Sequence, residues 1–181
     1  MNDGMDAEIC YQELNQEYLS SRGDSIALFG LVLTLAREFS MDFVLGCLER
    51  CVVEKRLSWM ERNAHRIRLS GNLVQDGCTL FYKTYLGLSI PQDGIILETT
   101  DDRLVTRWTN PCPTLDACRH YGLDTREICR KVYQRPVQEM LMKLDSCLRF
   151  ERNYQSIRPY QSYCEEIISI VEKEAPLKKE P

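Results

Sequence analysis

The stretch Gly94-Ile-Ile-Leu-Glu-Thr-Thr-Asp-Asp-Arg-Leu-Val-Thr-Arg-Trp108 decides the fold. Two runs rich in β-branched residues flank the turn pair Asp101-Asp102, and such side chains suit a pleated, half-buried surface. The pattern predicts a β-hairpin. Asn110-Pro111-Cys112-Pro113 follows and ends the second strand, because proline has no N–H to give a central ladder.

Downstream, Thr114 to Tyr121 reads as a short helix closed by Gly122 as C-cap. Asp124 caps a longer helix toward Leu144, which Pro136 kinks or splits in two. Leu148-Arg-Phe-Glu-Arg-Asn-Tyr154 alternates apolar and polar residues, the period of a strand. Tyr163 to Val171 fits two templates. Cys164, Ile167, Ile168 and Val171 match a helical stripe, yet the β-branched content suits a strand, and the strand reading is adopted.

Upstream, the period is helical. Asp24 or Ser25 can cap a helix carrying Ile26, Leu28, Phe29, Val32, Leu33 and Leu35. Ser40 precedes a second stripe of Phe43, Val44, Cys47, Leu48, Cys51 and Val52, with Glu49, Arg50, Glu54 and Lys55 on its polar side. That helix can run on through Trp59 toward Ile67, with Gly71-Asn72 as the stop. A third helix holds Leu80, Phe81, Tyr85 and Leu86 and ends at Gly87. The expectation is α+β: a helical N-terminal half packed on an antiparallel sheet of about four strands, with helices inserted between the hairpins.

Composition sets the outer bounds. The chain has 181 residues, 44% apolar and 28% charged, with nine Gly, seven Pro and a net charge of -4. That excludes collagenous, low-complexity and broadly disordered chains. A chain this long can bury roughly 70% of its unfolded surface, enough for one unstapled domain. A pI near 5.3 argues against nucleic acid as a partner. The longest apolar run, Ile26 to Ala36, falls short of the ~20 residues of a membrane span. The polar, acidic start is unlike a secretory signal, so the expected location is cytoplasmic, with no membrane partner. Acids concentrate in residues 1–24, read as an acidic arm that could dock on a basic partner. Residues 25–172 are read as the single domain and 173–181 as a frayed tail. Residues 103–158 hold eleven bases against six acids, an excess that suits a small anionic ligand or a solvated face.

The nine cysteines, at 10, 47, 51, 78, 112, 118, 129, 147 and 164, are the feature that composition leaves unexplained. An odd count without a signal peptide argues against a disulfide framework. Three readings stay open. Thiols can pack as small hydrophobes. Cys112, Cys129 and Cys164 could meet at one end of the sheet and bind zinc or iron, with His65 or His120 as a fourth ligand. Or Cys112, placed just before a helix N-terminus, could be a nucleophile. His65 and His120 are the only histidines and thus the general-base candidates, though each also reads as a helix-end residue. Asn110, Arg152, Arg158 and Tyr160 are the candidate binding residues, since arginine forks onto carboxylates and tyrosine donates a hydrogen bond. Glu165 and Glu166 are adjacent on a strand, so they face opposite sides.

Cys112-Pro113 at a strand end, Gly122-Leu123, Cys129 and the late Cys164 together resemble the L-2-amino-thiazoline-4-carboxylic acid hydrolase-like family. More distantly they are similar to the small-ligand-binding domains of the 4-vinyl reductase type. Gln161-Ser162-Tyr163 stands where that family has Gly-Asp. The resemblance implies a hydrolase that opens a cyclic C–N/C–S carboxylate in a Cys-rich pocket. Cys112 or an activated water would attack, His65 or His120 would move the proton, and Arg152 or Arg158 would hold the carboxylate. The alternative is a non-enzymatic ligand- or metal-binding sensor or accessory protein.

Overall fold

A computed structural model describes residues 3–20 and 24–171. The chain runs α1 (Asp3–Ser20), α2 (Ser25–Leu35), α3 (Met41–Arg62), a 3₁₀ turn (Ala64–Arg66) and α4 (Leu73–Cys78), which continues as a π-helical stretch over Thr79–Tyr85. The hairpin follows as β1 (Gly94–Thr99) and β2 (Arg103–Trp108). Next come α5 (Pro113–Tyr121), α6 (Thr125–Ile128), a second π-helical stretch (Cys129–Tyr133) and α7 (Gln134–Leu144). Strands β3 (Leu148–Asn153) and β4 (Cys164–Ile170) complete the domain. The four strands form one antiparallel sheet in the order β1-β2-β4-β3. The fold is α+β, with the N-terminal half helical.

Local chemistry sets the ends of these elements. Asp24 accepts the N–H groups of Ile26 and Ala27 and so caps α2. Ser40 does the same for α3 through Phe43 N–H. Gly122 takes the left-handed conformation, φ +66, that a residue with a Cβ disfavours, and Leu123 N–H closes on Cys118 carbonyl. Pro136 does break the long helix, and the break takes a particular form. Proline cannot donate and crowds the carbonyl four residues back, and the π-helical stretch lies just before it, between α6 and α7.

Three boundaries differ from the sequence reading. Helix α3 stops at Arg62, because Asn63 turns the chain and its side chain binds back to Trp59 carbonyl. Asn72 starts α4 as its N-cap instead of ending the preceding helix, with its oxygen accepting Gln75 N–H at 3.0 Å. The acidic stretch read as an arm forms α1. Cys10 and Leu14, four residues apart and thus on one face, are fully buried in the helical core with Phe29, Val44 and Leu48. Its tyrosines lie under cations of α3: Arg50 over Tyr11 and Lys55 over Tyr18, each 3.9 Å from the ring centre. The tail read over 173–181 lies outside the described residues.

A second core joins the helices to the sheet through Phe81, Leu104, Met140, Leu141, Leu148 and Ile168. Gly77 of α4 allows this approach. A Cβ there would stand 3.2 Å from Leu141 and 3.6 Å from Ile168 and Leu148. One sheet face carries Leu104, Thr106, Trp108, Glu166, Ile168 and Phe150 inward, by strict alternation. The other carries Arg107 and Glu165, which pair at 2.9 Å. The adjacent glutamates thus do face opposite sides. No helix of the described residues is long and apolar enough to cross a membrane.

Candidate functional site

The inward face of the sheet does not end in hydrophobes. Near its β2–β4 end, the parity that buries Leu104 and Ile168 also buries Thr106 and Glu166, and the chain resolves both with a polar network. Glu166, 6% exposed, accepts Tyr82 Oη at 2.8 Å and Arg152 Nε at 2.7 Å. Arg152 Nη2 lies 2.5 Å from the same glutamate oxygen, and its side chain is 9% exposed. Trp108 Nε1 donates to Thr106 Oγ1 at 2.8 Å, and the Tyr82 and Trp108 rings stack 4.2 Å apart. Burial opposes the charge on Arg152, but the adjoining Glu166 outweighs it and keeps the guanidinium more firmly protonated than usual. Burial and Glu166 together push the Tyr82 hydroxyl well above its ordinary range, so it stays a donor.

This network forms the floor of a cavity of about 450 Å³ between α3, the two π-helical stretches and the sheet end. Aromatic rings make the walls: Phe81, Tyr82 and Tyr85 from the first π stretch, Tyr133 from the second, with Tyr18 and Trp108. A π turn re-aims side chains that a regular helix would place elsewhere, which is why such turns recur at binding sites. The rim is the segment Asn110–Thr114 with Arg158 and Cys164.

The cavity gathers most of the residues that the sequence reading singled out. Asn110, Cys112, Cys129, Arg152, Arg158 and Cys164 all line it. Arg158 ties the rim together: Nη1 donates to Asn110 carbonyl at 2.6 Å and Nε points at Cys164 Sγ at 3.4 Å. Cys112 is the N-cap residue of α5 and its side chain makes no capping hydrogen bond, although the nearby Leu115 N–H favours its thiolate. Burial nevertheless dominates and raises its thiol above the ordinary value, against the lowering by that N–H and by Arg158. Burial pushes the Cys129 thiol up to about 12.

Three expected participants are elsewhere. His65 lies on the 3₁₀ turn after α3 and His120 in the last turn of α5, edge-on to Tyr121; both are exposed and neither lines the cavity. Tyr160 is also exposed, donating to Asp124 at 3.0 Å under the Arg126 guanidinium. Each sits on a turn or helix end that folding leaves in solvent, so the closeness of His120 to Cys112 and of Tyr160 to Arg158 in the sequence did not put either on the cavity wall. Among the described residues, no group of three or more His, Cys, Asp or Glu side chains could hold a metal ion.

Two buried charges of the cavity were missed by sequence reasoning. Arg56 directly follows Glu54-Lys55 and was not singled out. Yet Leu48, Val52, Arg56 and Met60 recur every four residues, so Arg56 falls on the buried stripe of α3. It is 7% exposed, and its Nε and Nη1 have no hydrogen-bond partner. Its guanidinium stands 5.3 Å from the Phe81 ring centre and 5.5 Å from that of Tyr85. Glu166 was the other, although its inward parity with Ile168 was the available signal.

No family model, curated protein or solved structure significantly matches the chain.

Proposed function

We propose that the protein takes a small, flat organic carboxylate into the aromatic cavity. The observation that carries this reading is Arg56: a buried guanidinium on the cavity wall whose Nε and Nη1 have no hydrogen-bond partner and which forms no ion pair among the described residues. An isolated buried charge is costly, and a structure keeps one where something else neutralises it. The rings around it supply the apolar, stacking contact surface that small-molecule pockets use, with few polar groups for orientation. Isothermal titration with benzoate and benzamide tests the reading. Benzoate is expected to bind and benzamide, of the same shape without charge, to bind at least about tenfold more weakly. Equal binding of the two, or none of either, overturns it.

A hydrolytic reading is favoured by one further feature, the placement of Cys112 and Arg158 on the same rim. In that reading the bound carboxylate is part of a thiazoline-like ring. The Cys112 sulfur adds to the amidine-like carbon, and one ring bond at that carbon breaks. Water then releases the product and restores the thiol, so that one water is added overall. Glu166 is the carboxylate that lines the cavity with Cys112, and it would take the thiol proton that the distant histidines cannot. Turnover of 2-aminothiazoline-4-carboxylate by the wild type, lost in Cys112→Ser while benzoate binding persists, supports this reading. Unchanged turnover in Cys112→Ser removes the sulfur from the mechanism.

A further inference from the structure

The cavity holds more cations than carboxylates. Besides the Arg152–Glu166 pair it is lined by Lys55, Arg56 and Arg158. Among the described residues these three form no ion pair. Lys55 donates to Tyr18 carbonyl, Arg158 to Asn110 carbonyl and the Cys164 sulfur, and Arg56 faces only rings. Arg152 Nη1 is a further buried donor without a partner.

These charges stand on separate walls. Lys55 and Arg56 belong to α3, Arg152 to β3 and Arg158 to the loop before β4. A chain of ring contacts links one wall to the other. Arg56 lies against Phe81, Phe81 meets Phe150 edge-on at 6.0 Å, and Arg152 lies 5.5 Å from Phe150. A single carboxylate at either wall leaves the other wall charged and desolvated, which a low-dielectric cavity penalises.

From this charge count, and resting on the reading that the cavity takes an organic anion, we infer that the ligand is a diacid. One anionic group meets the Lys55–Arg56 wall, the other meets the Arg152–Arg158 wall, and a flat apolar body between them stacks on Phe81 and Tyr82. Arg56 offers the ligand its unpartnered Nε and Nη1, and Glu166 fixes the orientation of Arg152 while leaving Nη1 for the ligand.

Titration of the full chain with benzoate, its three dicarboxylate relatives (phthalate, isophthalate and terephthalate) and phenylphosphonate tests the inference. The three isomers scan the distance between charges on one ring, and phenylphosphonate places its charge at one point. At least one isomer is expected to bind about tenfold or more tighter than benzoate. Arg56→Gln and Arg158→Gln are each expected to bring that isomer to within about threefold of benzoate. The wild type gives a check that needs no variant: affinity for the preferred isomer falls more steeply with salt than affinity for benzoate. Isomers no tighter than benzoate, a salt slope equal to that of benzoate, or phenylphosphonate as the tightest ligand overturns the diacid and leaves the carboxylate reading standing. Absence of binding by benzoate and all three isomers overturns both.

Discussion

Arg152 and Glu166 form a closed ion pair beneath the cavity, with Nε at 2.7 Å and Nη2 at 2.5 Å from one carboxylate oxygen, while Tyr82 occupies the other. The pair joins β3 to β4 across the register Arg152↔Glu166, so the sheet and the cavity floor depend on the same contact.

Breaking that pair from one side is expected to be severe. Glu166→Gln keeps the shape and the contact with Tyr82 but leaves Arg152 buried without a counter-charge. Urea unfolding should show a loss of about 3–5 kcal/mol. Adding Arg152→Met should recover most of it, because the double variant buries no lone charge. A Glu166→Gln protein within about 1 kcal/mol of the wild type would show that the pair is solvated in solution.

Arg56 makes the opposite prediction. It is the buried charge with no partner among the described residues, so Arg56→Met should stabilise the ligand-free protein by about 1–3 kcal/mol. The same change should weaken binding of the preferred dicarboxylate by about tenfold, toward that of benzoate. A gain in melting temperature with a loss of affinity is the signature of a residue kept for its ligand. A loss of both would make Arg56 a packing residue whose stem fills the space beside Phe81 and Tyr85.

The contrast between these arginines explains how far the sequence could be read. Elements were legible where a local signal fixes them: the Asp101-Asp102 turn, the caps at Asp24, Ser40 and Asp124, and the glycine stop at Gly122 each act within a few residues. The shared cavity of Cys112, Cys129 and Cys164 followed from placing three elements at one end of a sheet. What was not legible depends on long-range partners. Arg56 finds its rings on the first π stretch, and Glu166 meets Tyr82 across 84 residues. Single-residue chemistry favours His65 and His120, but only tertiary packing decides which polar groups face a cavity.

The loop between β3 and β4 carries a pH-sensitive contact. Asp124 caps α6, accepts Tyr160 Oη at 3.0 Å and is gripped by Arg126. Those hydrogen bonds, from Arg126 above all, lower its carboxyl from 3.8 to about 2. A depressed carboxyl adds stability above its unfolded value and loses it as pH falls through the folded one. The difference in unfolding free energy between the wild type and Asp124→Asn should be full at pH 6 and shrink between about pH 4 and pH 2. Asparagine also caps the helix, so a difference that stays constant with pH would show that the charge of Asp124 is not held by Arg126 in solution.

Helix α1 gives the last test, and it separates an appended acidic arm from an integral helix. An arm carries charge and little buried surface, so truncating one apolar side chain in it should change stability by less than about 0.5 kcal/mol. Leu14 is instead fully buried against the helical core, and Leu14→Ala should cost about 2–5 kcal/mol. The helix also supplies Tyr18 to the cavity wall, where Lys55 lies over its ring and donates to its carbonyl. Tyr18→Ala should therefore weaken carboxylate binding in titration, since it opens the cavity and removes the ring under Lys55. If both variants are indistinguishable from the wild type in urea and in titration, α1 does not hold its place on α3 in solution, and the cavity lacks this wall.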